Sequence, residues 1–222
     1  MGAYIALIVM TMAIGGFVSW YCHHNLKKYG RVGSSLGITG YQAAQMMLRA
    51  NGVSGVRVYM GSEGNDHFDP RDNSISLSPS VYQQPTVTAV ATACHEVGHA
   101  CQYAQGYSFF KIRAALVPVA SFAENTWIFI FMAGLIFNLA GLVEISIAIY
   151  ACAILFQIVT LPVEFNASHR AMDYIKSLGV SQSDAGGSFA VLRSCALTYV
   201  GAALISILNL LYYLSIFASG DE

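Results

Sequence analysis

Four long stretches of this chain carry almost no charge, and they restrict what it can fold into. Residues 3–20 and 197–217 contain no Asp, Glu, Lys or Arg, and residues 114–137 and 139–163 contain one glutamate each, Glu124 and Glu144. A hydrocarbon core of roughly 30 Å needs about 20 helical residues to cross, and each run is long enough. The composition agrees: 55% hydrophobic, 10% charged and a mean hydropathy of +0.54 exclude an ordinary soluble domain of this length. Four transmembrane helices are therefore expected. The first lacks a basic region ahead of its apolar stretch, so it is expected to be a retained anchor and not a cleaved signal peptide.

The bases set the orientation. All 11 Lys and Arg residues fall between the first and second runs or between the third and fourth. The N-terminus, the turn near Asn138 and the C-terminal tail carry none. The positive-inside rule then places both polar segments in the cytoplasm and both termini outside. A net charge of −1 and the absence of a basic run give no surface for nucleic acid. Five cysteines without paired spacing read as packing residues, Cys94 and Cys101 among them, in a compartment that keeps thiols reduced.

The first polar segment carries His95-Glu96-Val97-Gly98-His99. On a helix, residues four apart share a face, so both imidazoles can reach one Zn²⁺. Glu96 points to a neighbouring part of the surface, where it can take a proton from a water without being a ligand. Around this motif, residues 40–51 read as a helix, 56–60 and 74–78 alternate as strands, and 66–70 reads as a turn. Pro85 marks the start of the motif's helix and Gly106 its end. Ser74 to Ser78 is the candidate sheet edge for a substrate backbone.

A catalytic zinc takes three protein ligands and keeps one open position. The candidates for the third are Glu164, His169, His67, His23 and His24. Glu164 is favoured because it follows the third apolar run on the motif's side of the membrane.

Three segments, Ala93 to Gln102, Leu161 to Arg170 and Ala196 to Val200, together resemble the YugP-type membrane zinc metallopeptidases, and Asp66 to Pro70 resembles a further motif of that family. The resemblance implies a neutral zinc metallopeptidase with His95 and His99 as ligands and Glu96 as the catalytic acid/base. A more distant similarity is to the HtpX and CaaX-prenyl-protease group, in which a glutamate after a membrane hairpin completes a gluzincin site. Glu164 and Ala167 match that group's pattern, whereas Ser168 stands where the group has Asp and Thr160 where it often has Asn.

The expected fold class is an α-helical membrane protein with a small α+β zincin-like cytoplasmic domain. Its parts are a first transmembrane helix (1–22), a cytoplasmic segment with the HExxH helix (23–113), a transmembrane hairpin (114–163), a cytoplasmic segment with the third ligand (164–195) and a fourth transmembrane helix (196–218). The expected activity is peptide-bond hydrolysis at one Zn²⁺ held by His95, His99 and Glu164, with Glu96 as general base. The substrate would be a peptide or membrane protein, and the setting a bacterial plasma membrane with the site on its cytoplasmic side. His67, Asn166, His169, Arg170 and Tyr199 are candidates for orienting the ligands or stabilising the oxyanion. Two rivals remain. An ion- or proton-coupled transporter would use Glu124 and Glu144, and a non-catalytic zinc scaffold would have no use for Glu96.

Overall fold

A computed structural model of the chain describes residues 2–220. Met1 and residues 221–222, at the two termini expected to face out, lie outside the described residues. In chain order the elements are α1 (Gly2–Tyr29), α2 (Gly40–Ala50), β1 (Arg57–Met60), β2 (His67–Asp69), β3 (Ser74–Leu77), α3 (Pro79–Gln83), α4 (Val87–Ala104), α5 (Ser108–Ile136), α6 (Ala140–Ser177) and α7 (Gln182–Gly220).

Among the described residues, α1, α5, α6 and α7 are long and apolar enough to cross a membrane. Their outer faces are apolar too: Phe129 is 72% exposed and Met12 71%. So much bare hydrocarbon is unfavourable in water and neutral in lipid. A turn at Asn138, whose φ of +52° suits asparagine, joins α5 to α6. The sequence places the end of the third apolar run at residue 163, and α6 runs on from there to Ser177 with Pro162 inside it. At 38 residues it is about 57 Å long, nearly twice a hydrocarbon core, so it stands beyond the bilayer as a rigid post.

The remaining elements pack around that post. A capping box between Thr39 and Gln42 starts α2, which buries Ala43, Ala44, Met47 and Leu48. These join Val90, Cys94, Val97 and Cys101 of α4, Val163, Ala171 and Ile175 of α6, and Val191 and Leu192 of α7 in one hydrophobic cluster. Cys94 and Cys101 are thus core residues, and burial pushes the Cys94 thiol up to about 12. Across α1 and α7, Cys22 and Cys195 bring their Sγ atoms to 3.6 Å as free thiols. At the start of α7, Asp184 accepts hydrogen bonds from Ser35 N (2.6 Å) and Ser35 Oγ (2.7 Å), fastening the loop after α1 to that helix.

The three-stranded sheet has the order β1-β3-β2, with β1 parallel and β2 antiparallel to β3. Two sequence expectations change here. Ser74 to Leu77 is the central strand, paired on both sides, so it offers no edge to a substrate. Residues 67–69, expected as part of a turn, form an outer strand because β3 supplies them a partner.

Candidate active site

Helix α4 begins at Thr86, whose side chain accepts the Ala89 N–H, and ends before Gly106, whose φ of +67° no helix continues through. His95 and His99 lie one turn apart on its face toward α6. Gly98 sets how near α6 comes: a Cβ there would lie 2.7 Å from the Ala167 carbonyl oxygen. That close approach carries Glu164, one turn earlier on α6, to the imidazoles.

The three side chains converge. His95 Nε2 and His99 Nε2 are 3.2 Å apart, and Glu164 Oε2 lies 3.3 Å from the first and 3.5 Å from the second. Two N and one O donor around a tetrahedral Zn²⁺, with bonds of about 2.0–2.1 Å, would be separated by about 3.3–3.4 Å. The triangle has the size such an ion requires, and His₂Glu is a known catalytic donor set. Of the third-ligand candidates, the structure brings only Glu164 to the pair. His169 points outward to Asp173 at 3.2 Å with its side chain 74% exposed. His23 and His24 stay on α1 against Ser19 and Trp20, and His67 sits on β2.

Both histidines are held from behind. His99 Nδ1 lies 3.0 Å from Gln102 Oε1, so the Nδ1–H donates and Nε2 is left for a metal. Gln102, fully buried, donates through Nε2 to Val163 O (2.8 Å) and Asn166 Oδ1 (3.0 Å). Arg170 Nε donates to the same Asn166 oxygen at 2.8 Å, and its Nη1 to Gln105 Oε1 at 2.7 Å. Asn166 thus links Gln102 to Arg170, and Arg170 in turn bridges α6 to α4 through Gln105. His95 Nδ1 lies 3.2 Å from Ser168 Oγ.

Glu96 is 7% exposed. Burial, only partly offset by His95 and joined by repulsion from Glu164 and Asp66, pushes its carboxyl up to about 7. It also accepts a backbone hydrogen bond from Phe68 on β2. Phe68 faces Ile75 across the β2–β3 pair, and its N–H turns from the sheet to the site. A carboxyl near 7 beside a metal-ligand triangle can take and return protons at neutral pH.

Two cavities meet at this centre, both lined by His95, Glu96, Glu164, Asp66 and Tyr199. The larger, about 450 Å³, extends past Glu63, Ser78, Thr88 and Thr92. The smaller, about 220 Å³, lies against His67, Phe68, Phe110, Arg113 and Val117. Tyr199 and His67 thus line the site, but neither touches the ligand triangle. Asp66 holds the rim by accepting from Ser78 N (2.6 Å) and Ser78 Oγ (3.0 Å). Glu124 and Glu144 are exposed on the outer surface of the helices, and neither lines these cavities.

The sequence reading missed Gln102, Ser168 and Arg113. Gln102 is three residues beyond His99 and Ser168 four beyond Glu164, so helical spacing could have nominated both. Nothing local marks Arg113.

Comparison with known proteins follows the same lines. The family described as "Putative neutral zinc metallopeptidase" matches residues 4–218. The chain belongs to that family. The chain is also 35% identical over 221 residues to the "Putative membrane protease YugP" of Bacillus subtilis (strain 168), covering 99% of this chain and 98% of the relative. No solved structure matches it.

Proposed function

We propose that this member of the zinc metallopeptidase family is an integral membrane endopeptidase that hydrolyses peptide bonds at a single zinc held by His95, His99 and Glu164. The observation that carries the reading is the ligand triangle. Two imidazoles from α4 and a carboxylate from α6, 65 residues further along the chain than His99, meet at separations of 3.2–3.5 Å. A buried base stands beside them. When bound, zinc polarises the scissile carbonyl and activates water near neutral pH. Glu96 accepts the proton of the attacking water and returns it to the leaving amine. Gln102 and Ser168 hold the tautomer and tilt of the two histidines, so that Nε2 of each faces inward.

In this reading residues 23–113 and 164–195 build a zincin-like catalytic unit on the cytoplasmic face of a bacterial plasma membrane, and both termini face out. All 11 bases lie on the polar segments of that side. The sheet edge that meets the site is β2, which suits an extended substrate backbone better than the central β3. A site at the bilayer surface favours membrane-protein or membrane-bound peptide substrates.

The test pairs metal analysis with proteolysis. Purified protein should hold one zinc and cleave a fluorogenic peptide library, and Glu96→Gln should keep the zinc and lose at least about 10²-fold in turnover. Stoichiometric zinc in a protein that cleaves no peptide would replace this reading with a zinc-binding scaffold.

A further inference from the structure

Arg113, on the α5 wall, is turned to the His95–His99–Glu164 triangle, with its side chain 29% exposed. Residues 110, 113, 114 and 117 follow helical spacing and form the α5 wall of the smaller cavity. Arg113 Nη2 lies 3.8 Å from Glu164 Oε1, an ion pair too long for a hydrogen bond. Its Nε is buried without any partner, and the guanidinium makes no hydrogen bond to a described residue. A buried unmade hydrogen bond costs about 1–3 kcal/mol, and such groups cluster where a ligand completes them. Phe68, Phe110 and Val117 give the wall apolar patches between Asp66, His67, Glu96, Glu164 and Tyr199, and Arg113 is the one Lys or Arg among its lining residues. The cavity's 220 Å³ is about half that of its neighbour, room for one residue and not a run of peptide.

We infer that the smaller cavity is a carboxylate-recognising subsite, in which Arg113 takes the carboxylate of the substrate residue next to the scissile bond. A guanidinium binds a carboxylate through two parallel N–H···O bonds, a geometry that fixes position as well as charge. The carboxylate can be an Asp or Glu side chain, which fits the internal cut proposed above, or a chain's own C-terminus, in which case the cut removes the last residue instead. The substrate's remaining length then runs through the larger cavity. The inference rests on reading the site as a peptidase centre, and its test separates the two.

Zinc-loaded Glu96→Gln protein, which binds without turning over, is titrated by calorimetry with two pairs of decapeptides. One pair differs only in a C-terminal free acid against its amide, the other in an internal Glu against Gln within an amidated chain. At least one acidic peptide should bind about ten-fold more tightly than its neutral mate. The pair that shows the difference identifies the source of the carboxylate. Adding Arg113→Gln should abolish the difference, and Arg113→Lys should restore part of it, with zinc content checked in each. Equal affinities within both pairs overturn the inference. So does an Arg113→Gln effect that weakens all four peptides alike, which would leave the arginine as a support for Glu164. Cleavage by the unmutated protein is measured separately: its absence counts against the peptidase reading and leaves the binding difference standing.

Discussion

Glu96 shows how a residue's surroundings, more than its identity, set its chemistry. Burial and the neighbouring carboxylates Glu164 and Asp66 raise its carboxyl to about 7, and a divalent cation beside it can only lower that value. The ionised form is the base, so kcat/KM should fall as pH drops through an acid limb centred at or below about 7. A limb centred well above 7 in the pH profile would contradict the assignment. Gln102 has a quieter task. It holds His99 Nδ1 at 3.0 Å and ties α4 to α6 through Val163. Gln102→Ala should weaken zinc binding about 10–100-fold, read by chelator competition, although both histidines and Glu164 remain. Unchanged affinity would show that the histidine tautomer needs no help.

At the scale of elements, the site depends on how closely two helices pack. Gly98 occupies a variable position of the His-Glu-x-x-His pattern, yet a Cβ there would meet the Ala167 carbonyl oxygen at 2.7 Å and its Cα at 3.0 Å. These are backbone atoms and cannot rotate aside. Gly98→Ala should push α6 from α4 and move Glu164, lowering zinc affinity at least about ten-fold while the HExxH sequence stays intact. Full zinc affinity in that variant would mean the helices approach less closely than described. The third apolar run ends at residue 163, while the helix that contains it continues to Ser177. Proline inside a long apolar helix is tolerated where neighbouring helices surround it, and the same long helix brings Glu164 to the two histidines.

For the whole molecule, the distribution of bases and the bundle geometry make one topological statement. The loops at Gly106 and Gly179 lie at the end of the bundle that carries the site, and the Asn138 turn lies at the other. Alkaline phosphatase fused after Asn138 should be active in cells, and fusions after Gly106 or Gly179 inactive. The reverse pattern would put the catalytic site outside. The four spans, the polar segments and the His95–His99 pair were legible in the sequence because hydropathy and i, i+4 spacing are local properties. Glu164 was favoured in the sequence over four other candidates by its place after the third apolar run. The structure chose it, along with Ser168, Gln102 and Arg113, because those contacts exist only where α4, α5 and α6 pack, and packing distance is fixed by shape at positions such as Gly98 and Ala167. The sequence by itself determined which residues could bind a metal and where the chain could cross a bilayer. Which of them share one centre was decided by the tertiary structure alone, since bringing side chains 65 residues apart to within 3.5 Å is a consequence of helices meeting and not of any local pattern.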